Sequence, residues 1–177
     1  IGVGVMGYYG WSNSPQQGEA IYDEYVDKMG RFCAWLAAHG YAVHLLAGEM
    51  PTDQRPRDEI LARLRTTLTA SDLARVALPP IGTPDDVLAA GAATDLVVAT
   101  RFQNVIAGRT LGRPCLSAGY SKKNDVLLAD MGRAPFCQQV TTLDVERLQA
   151  QFSELAAQTA AAAEQVRCRV LDYRRQL

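Results

Sequence analysis

The chain has 177 residues, 18 Lys and Arg against 19 Asp and Glu, and a formal net charge of −1. That length permits one well-packed domain, or a domain with a tail. With no basic field the composition argues against a nucleic-acid partner, and no apolar run approaches the roughly 20 residues that span a bilayer.

Residues 1–6, IGVGVM, alternate Gly with Val and Ile, as in a buried strand running close to neighbouring backbone. There is no initiator Met, and strands are usually preceded by a solvated lead-in. The expectation is a piece excised from a longer polypeptide. Residues 7–18, rich in Gly, Ser, Asn and Pro, read as a loop. From Glu19 to residue 38, Ile21, Tyr25, Met29, Phe32, Trp35 and Leu36 recur at helical spacing, and Gly40 supplies the stop. Residues 41–46 form a second strand, with a polar loop through Pro51 and Asp53. Ile60, Leu61, Leu64 and Leu68 mark a second helix over 58–68.

Residues 75–78 give a short third strand, closed by Pro79 and Pro80. Thr83-Pro84-Asp85-Asp86 is a helix start: a Thr cap, Pro in the first turn and two acids that suit the dipole. That helix ends near Gly91. Strands at 96–99 and 114–118 follow, each leading into a helix, at 102–111 and 124–131. A sixth strand is expected over 136–140. From Leu143 one long helical pattern runs to the end, Ala-rich at 156–163. Alternating strands and helices give an α/β fold, a doubly wound parallel sheet of Rossmann-like type. The expected organisation is an α/β domain at 1–142 and a C-terminal helix at 143–177 packing on it or on a missing domain.

The chemistry concentrates at 95–130. Thr100, Arg101, Gln103 and Asn104 crowd polar groups at the tip of the fourth strand, and Tyr120, Lys122 and Lys123 stand at the tip of the fifth. In open parallel sheets ligands bind at that edge. Guanidinium and ammonium groups beside helix N-termini suit phosphate or carboxylate, so Arg101 and Lys123 are expected to share an anionic small molecule. Asn104 caps its helix or faces the ligand, with capping the expected role. Tyr8, Tyr9 and Trp11, at the first strand tip, either stack on a sugar or nucleobase or close the core. His39 reads as a helix C-terminal residue and His44 as a strand residue in the core or at its edge. Cys33, Cys115, Cys137 and Cys168 are scattered, without metal or disulfide spacing, and fit a reducing cytoplasm. Gly-x-Gly-x-x-Gly, P-loop and Gly-x-Ser-x-Gly motifs are absent, so no cofactor is expected.

The run DLVVATRFQNVIAGRTLGRPCLSAGYSKKNDVLLADMG resembles the C-terminal half of the polysaccharide pyruvyl transferase family. That family has a strand, Arg-x-His, an apolar helix, Gly-x-Pro, and a strand ending in Tyr-x-x-Lys. The matching positions are Arg101, Gln103, Gly112, Pro114, Tyr120 and Lys123, and GVGVMGYYGW, GYAVHLLAGEMPTD and ADMGRAPFC extend the likeness over roughly residues 1–155. The resemblance implies the C-terminal domain of a GT-B-like enzyme, with its active site in a cleft against a missing N-terminal domain. It implies transfer of a pyruvyl group from phosphoenolpyruvate to a saccharide acceptor of a surface polymer or exopolysaccharide. The arginine and lysine would bind the donor, and the family histidine would be a candidate proton donor. Gln103 stands at that histidine, and an amide cannot protonate the enol carbon at neutral pH. A nucleotide-sugar glycosyltransferase and a non-catalytic binding or assembly domain are the competing expectations.

Overall fold

The computed structural model describes residues 1–10 and 14–176. Its centre is one six-stranded, all-parallel sheet in the order β3-β2-β1-β4-β5-β6, comprising β1 (Gly2–Val5), β2 (Val43–Ala47), β3 (Val76–Ala77), β4 (Val97–Ala99), β5 (Cys115–Gly119) and β6 (Cys137–Gln139). The fold is the doubly wound α/β arrangement that the alternating pattern implies. β1, β4 and β5 are buried along their whole length, which is why they read as continuous apolar or small runs rather than alternating ones.

Strand order reverses between β1 and β4. The chain leaves β1 through α1 (Pro15–Ala38) and continues outward through α2 (Gln54–Thr67) and the short α3 (Ala70–Leu73). It then crosses back through α4 (Pro84–Ala92) to β4, and proceeds through α5 (Phe102–Thr110) and α6 (Lys122–Asp130). Right-handed crossovers in opposite directions put these two sets of helices on opposite faces. α1 accordingly packs on α2, and α4 on α5.

Several bounds differ from the periodicity, for identifiable reasons. α1 begins at Pro15, four residues before Glu19, because Ser14 caps it by accepting from the Gln17 amide and Pro15 needs no hydrogen-bond partner in the first turn. α2 and α6 likewise start early, at Gln54 and Lys122, where Asp53 and Ser121 occupy the cap positions. Thr83 and Asp86 form a full capping box on α4; the amides of Gly82 and Thr83 and the Thr83 hydroxyl hold the Asp86 carboxyl below its ordinary range.

The long C-terminal pattern is two helices, α7 (Val145–Ala157) and α8 (Thr159–Gln176), broken at Gln158. Leu148, Phe152 and Leu155 of α7 are fully buried in the same core as β1 and α1, and α8 packs on α5. Residues 145–157 are thus integral to the α/β core. Among the described residues no helix is long and apolar enough to cross a membrane.

Phe152 sits edge-on to Phe32, Trp35 and Tyr41, with centroids 5.0–6.0 Å apart. Phe152→Ala is expected to lower unfolding free energy by about 3–5 kcal/mol in urea titration. A loss below about 1 kcal/mol would mean that α7 is not part of the cooperative core.

Candidate functional site

The topological reversal leaves a crevice between the C-terminal ends of β1 and β4, and the Arg101 side chain spans it. Arg101, the N-cap residue of α5, reaches past β1 to the loop after β2. Its Nε donates to both oxygens of Asp53 at 3.1 Å, and one terminal nitrogen donates to Asp53 Oδ1 at 2.7 Å and to Thr52 Oγ1 at 3.2 Å. Asp53 is fully buried. It occupies the cap position of α2 but makes no side-chain cap bond there. Its carboxylate accepts instead from the amides of Gly7, Gly48 and Glu49. One acid therefore ties the loops after β1, β2 and β4.

The remaining terminal nitrogen of Arg101, Nη1, pairs with Glu49 at 2.8 Å. The Glu49 side chain is 54% exposed, whereas that of Arg101 is 11% exposed. Burial alone would lower the guanidinium. Hydrogen bonds and charge from Asp53, with Glu49 and the nearby Tyr120, hold it above its ordinary value instead. Arg101 is a permanent, immobile cation whose charge is already offset on two sides.

Directly beneath the crevice, Tyr25 of α1 links the two diverging chains. Its hydroxyl accepts from the Met6 amide at 3.2 Å and lies 2.9 Å from Thr100 Oγ1. Burial raises its pKa, so it stays protonated.

Asn104 is buried, not a cap as expected. Its amide donates to the Ala47 carbonyl at the end of β2. Asn124, at the same position of α6, donates to Ser117 Oγ and the Thr100 carbonyl. The strands beneath make room with glycine: a Cβ on Gly4 would lie 2.6 Å from Asn104 Oδ1, and one on Gly119 2.7 Å from Asn124 Nδ2.

The cations expected to act together are separated. Lys123 is exposed and lines a hollow with Phe102, Lys122, Val126, Leu127 and Asp130, and Arg101 is not part of that lining. Arg101 points the other way, toward β2. Gln103 is exposed and opens into a third place, an apolar hollow between α4 and α5.

Tyr8 is 4% exposed with its ring edge-on to Tyr25, and burial raises its pKa. It closes the core more than it offers a stacking face. Tyr9 is exposed and stacks on Tyr22 at 4.9 Å, with Arg55 over the Tyr22 ring and bonded to the Tyr9 hydroxyl. Trp11 lies outside the described residues. His39 Nδ1 donates to the Trp35 carbonyl at its own helix end. His44 Nδ1 has no hydrogen-bond partner among the described residues, and burial, then the N-terminal ammonium, lower its pKa, as suits a neutral strand residue. Burial pushes the Cys33 and Cys115 thiols up to about 12, which leaves them protonated and unreactive.

Asp53→Ala is expected to cost about 3–5 kcal/mol, because it strands a buried guanidinium and three amides. Asp27→Ala, which breaks the exposed pair with Arg63, should cost under about 1 kcal/mol. Equal losses in denaturant titration would show that the Asp53 contacts do not organise the crevice.

No family model matches the chain, and no curated protein matches it.

Proposed function

We propose that this chain is the donor-binding domain of a pyruvyltransferase-like enzyme, taking the anionic end of phosphoenolpyruvate or a related donor at Arg101. One observation supports the reading above the others. Arg101 is locked by buried Asp53 on one side, while its Nη1 pairs with half-exposed Glu49 on the other. A ligand phosphate or carboxylate that replaces Glu49 gains a preorganised donor without creating a buried unpaired charge. The position, at a strand tip beside the point where strand order reverses, is the one such sheets use for ligands.

The resemblance supplies the pyruvyl chemistry and the saccharide acceptor, with the acceptor and a proton donor arriving from a second domain across the cleft. Tyr120, near Arg101, serves to orient the donor, while Gln103 opens into the apolar hollow. Lys123, in its separate hollow, provides an outlying positive charge.

A non-catalytic binding domain is the second reading. It is favoured by the charge balance at Arg101 and by Gln103 facing apolar side chains instead of a titratable partner.

Calorimetric titration of the chain with phosphoenolpyruvate, UDP-sugars and GDP-sugars tests these readings. Phosphoenolpyruvate should bind, and Glu49→Gln should tighten it about two- to fivefold, the worth of one exposed ion pair removed from competition. Lys123→Ala should weaken binding by less than Arg101→Lys, which loses the planar fork. Selective binding of a nucleotide sugar would move the assignment to a glycosyltransferase. If no anion binds and Glu49→Gln changes nothing, the donor-site reading fails.

A further inference from the structure

The hollow between α4 and α5 has a chemistry that a bare anion site does not use. Its volume is about 460 Å³, within the roughly 300–1,000 Å³ typical of small-molecule pockets. α5 presents Gln103, Ile106, Ala107 and Thr110 to it, one stripe at helical spacing. Val87 and Leu88 of α4 form the opposite wall, and Met50 and Ile81 come from the loops after β2 and β3. Beneath lies a second, smaller core built on Leu46, Ala47, Ile81 and Val87.

Among the described residues, no charged side chain and no aromatic ring lines this hollow. An ionic group placed inside would be desolvated without a partner, and a sugar or base would find no ring to stack on. Aliphatic surface is what the walls complement. Ile106 is 43% exposed at the rim, so apolar area is left uncovered that an occupant would bury.

One end of the hollow adjoins the candidate anion site: a Cβ on Gly48, which lines the hollow, would lie 2.7 Å from Arg101 Cβ. Gly48 and Met50 belong to its lining and flank Glu49, and Gln103 lies two residues from Arg101. A hydrocarbon seated between α4 and α5 would therefore carry its polar end toward the Glu49–Arg101 pair.

We propose that the α4–α5 hollow binds the aliphatic part of an amphiphilic small molecule whose anionic head replaces Glu49 on Arg101. The anionic half rests on the donor-site reading above, while the aliphatic half rests on the hollow alone.

Two homologous ligand series separate the halves. The chain is titrated with n-alkyl phosphates from ethyl to hexyl, and with the matching uncharged n-alkanols. Each added methylene should tighten both series about fourfold until the hollow is filled. Each phosphate should bind tighter than its alkanol. Ile106→Asp, a change at an exposed position, should abolish the chain-length dependence while leaving inorganic phosphate affinity and the thermal midpoint in place. Ile106→Leu should retain the dependence. Affinity independent of chain length in both series overturns the aliphatic site, whatever Arg101 does. Alkanols that bind with chain-length dependence, beside phosphates that gain nothing from their charge, overturn the anionic half alone.

Discussion

The buried pair between Asp53 and Arg101 is the constraint on which the candidate functional edge of this molecule depends. Where strand order reverses, the Thr100 amide donates to the Gly4 carbonyl, and beyond it the chains leaving β1 and β4 part toward opposite faces. Asp53 fills that gap with one carboxylate that accepts from Gly7, Gly48 and Glu49. A fully desolvated carboxylate is tolerable only with a matching cation and satisfied lone pairs. Arg101 provides the cation in a forked geometry that a lysine could not reproduce. Locking follows from this arrangement: the arginine has no freedom left except at the nitrogen that faces Glu49.

Around that pair the strand tips are fastened by amides and hydroxyls. Asn104 and Asn124 occupy the same turn of successive helices, and each lays its side chain over a glycine in the strand before it or beside it. Each amide nitrogen is spent on a carbonyl near a strand end, Ala47 for one and Thr100 for the other. Tyr25 does the same from below, joining Met6 to Thr100. The helices that carry Arg101 and Lys123 are thus fixed to the sheet by neutral groups, which leaves charge free to serve other purposes.

The fold was legible because parallel strands buried on both faces give unbroken apolar runs, and because Gly40, Gly112 and Gly132, all at positive φ, stop their helices where the periodicity ends. The strand-tip polar residues at 100–104 and 120–123 were legible as a group for a similar reason: they interrupt those runs abruptly. Their partners were not. Asp53 lies 48 residues from Arg101, and nothing local distinguishes it from an ordinary helix cap after Pro51. The Ser14-Pro15 start of α1 was a readable signal hidden inside a segment whose Gly, Ser and Asn content suggests a loop. Gln158 carries no breaking chemistry of its own; the Thr159 hydroxyl donates to the Leu155 and Ala156 carbonyls at the break, and α7 packs on α1 while α8 packs on α5. Spacing places residues on faces, whereas pairing between distant loops depends on topology that spacing does not encode.

The same distinction bears on how the edge recognises a ligand. A cation fully neutralised inside the fold adds stability but no recognition, and a cation free in water adds recognition but little rigidity. Arg101 sits between these limits because its two carboxylates differ in exposure, 0% for Asp53 and 54% for Glu49. Asp53 cannot leave without stranding buried groups, while Glu49 loses little by turning to solvent. Exchange at one nitrogen therefore costs the fold almost nothing, and the incoming anion meets a donor whose orientation is already set. Under the proposal above, the apolar hollow beside it would add affinity of a different kind, scaling with hydrocarbon area instead of charge. A ligand carrying both groups would engage the locked arginine and the open hollow at once, and selectivity would come from the fixed offset between them.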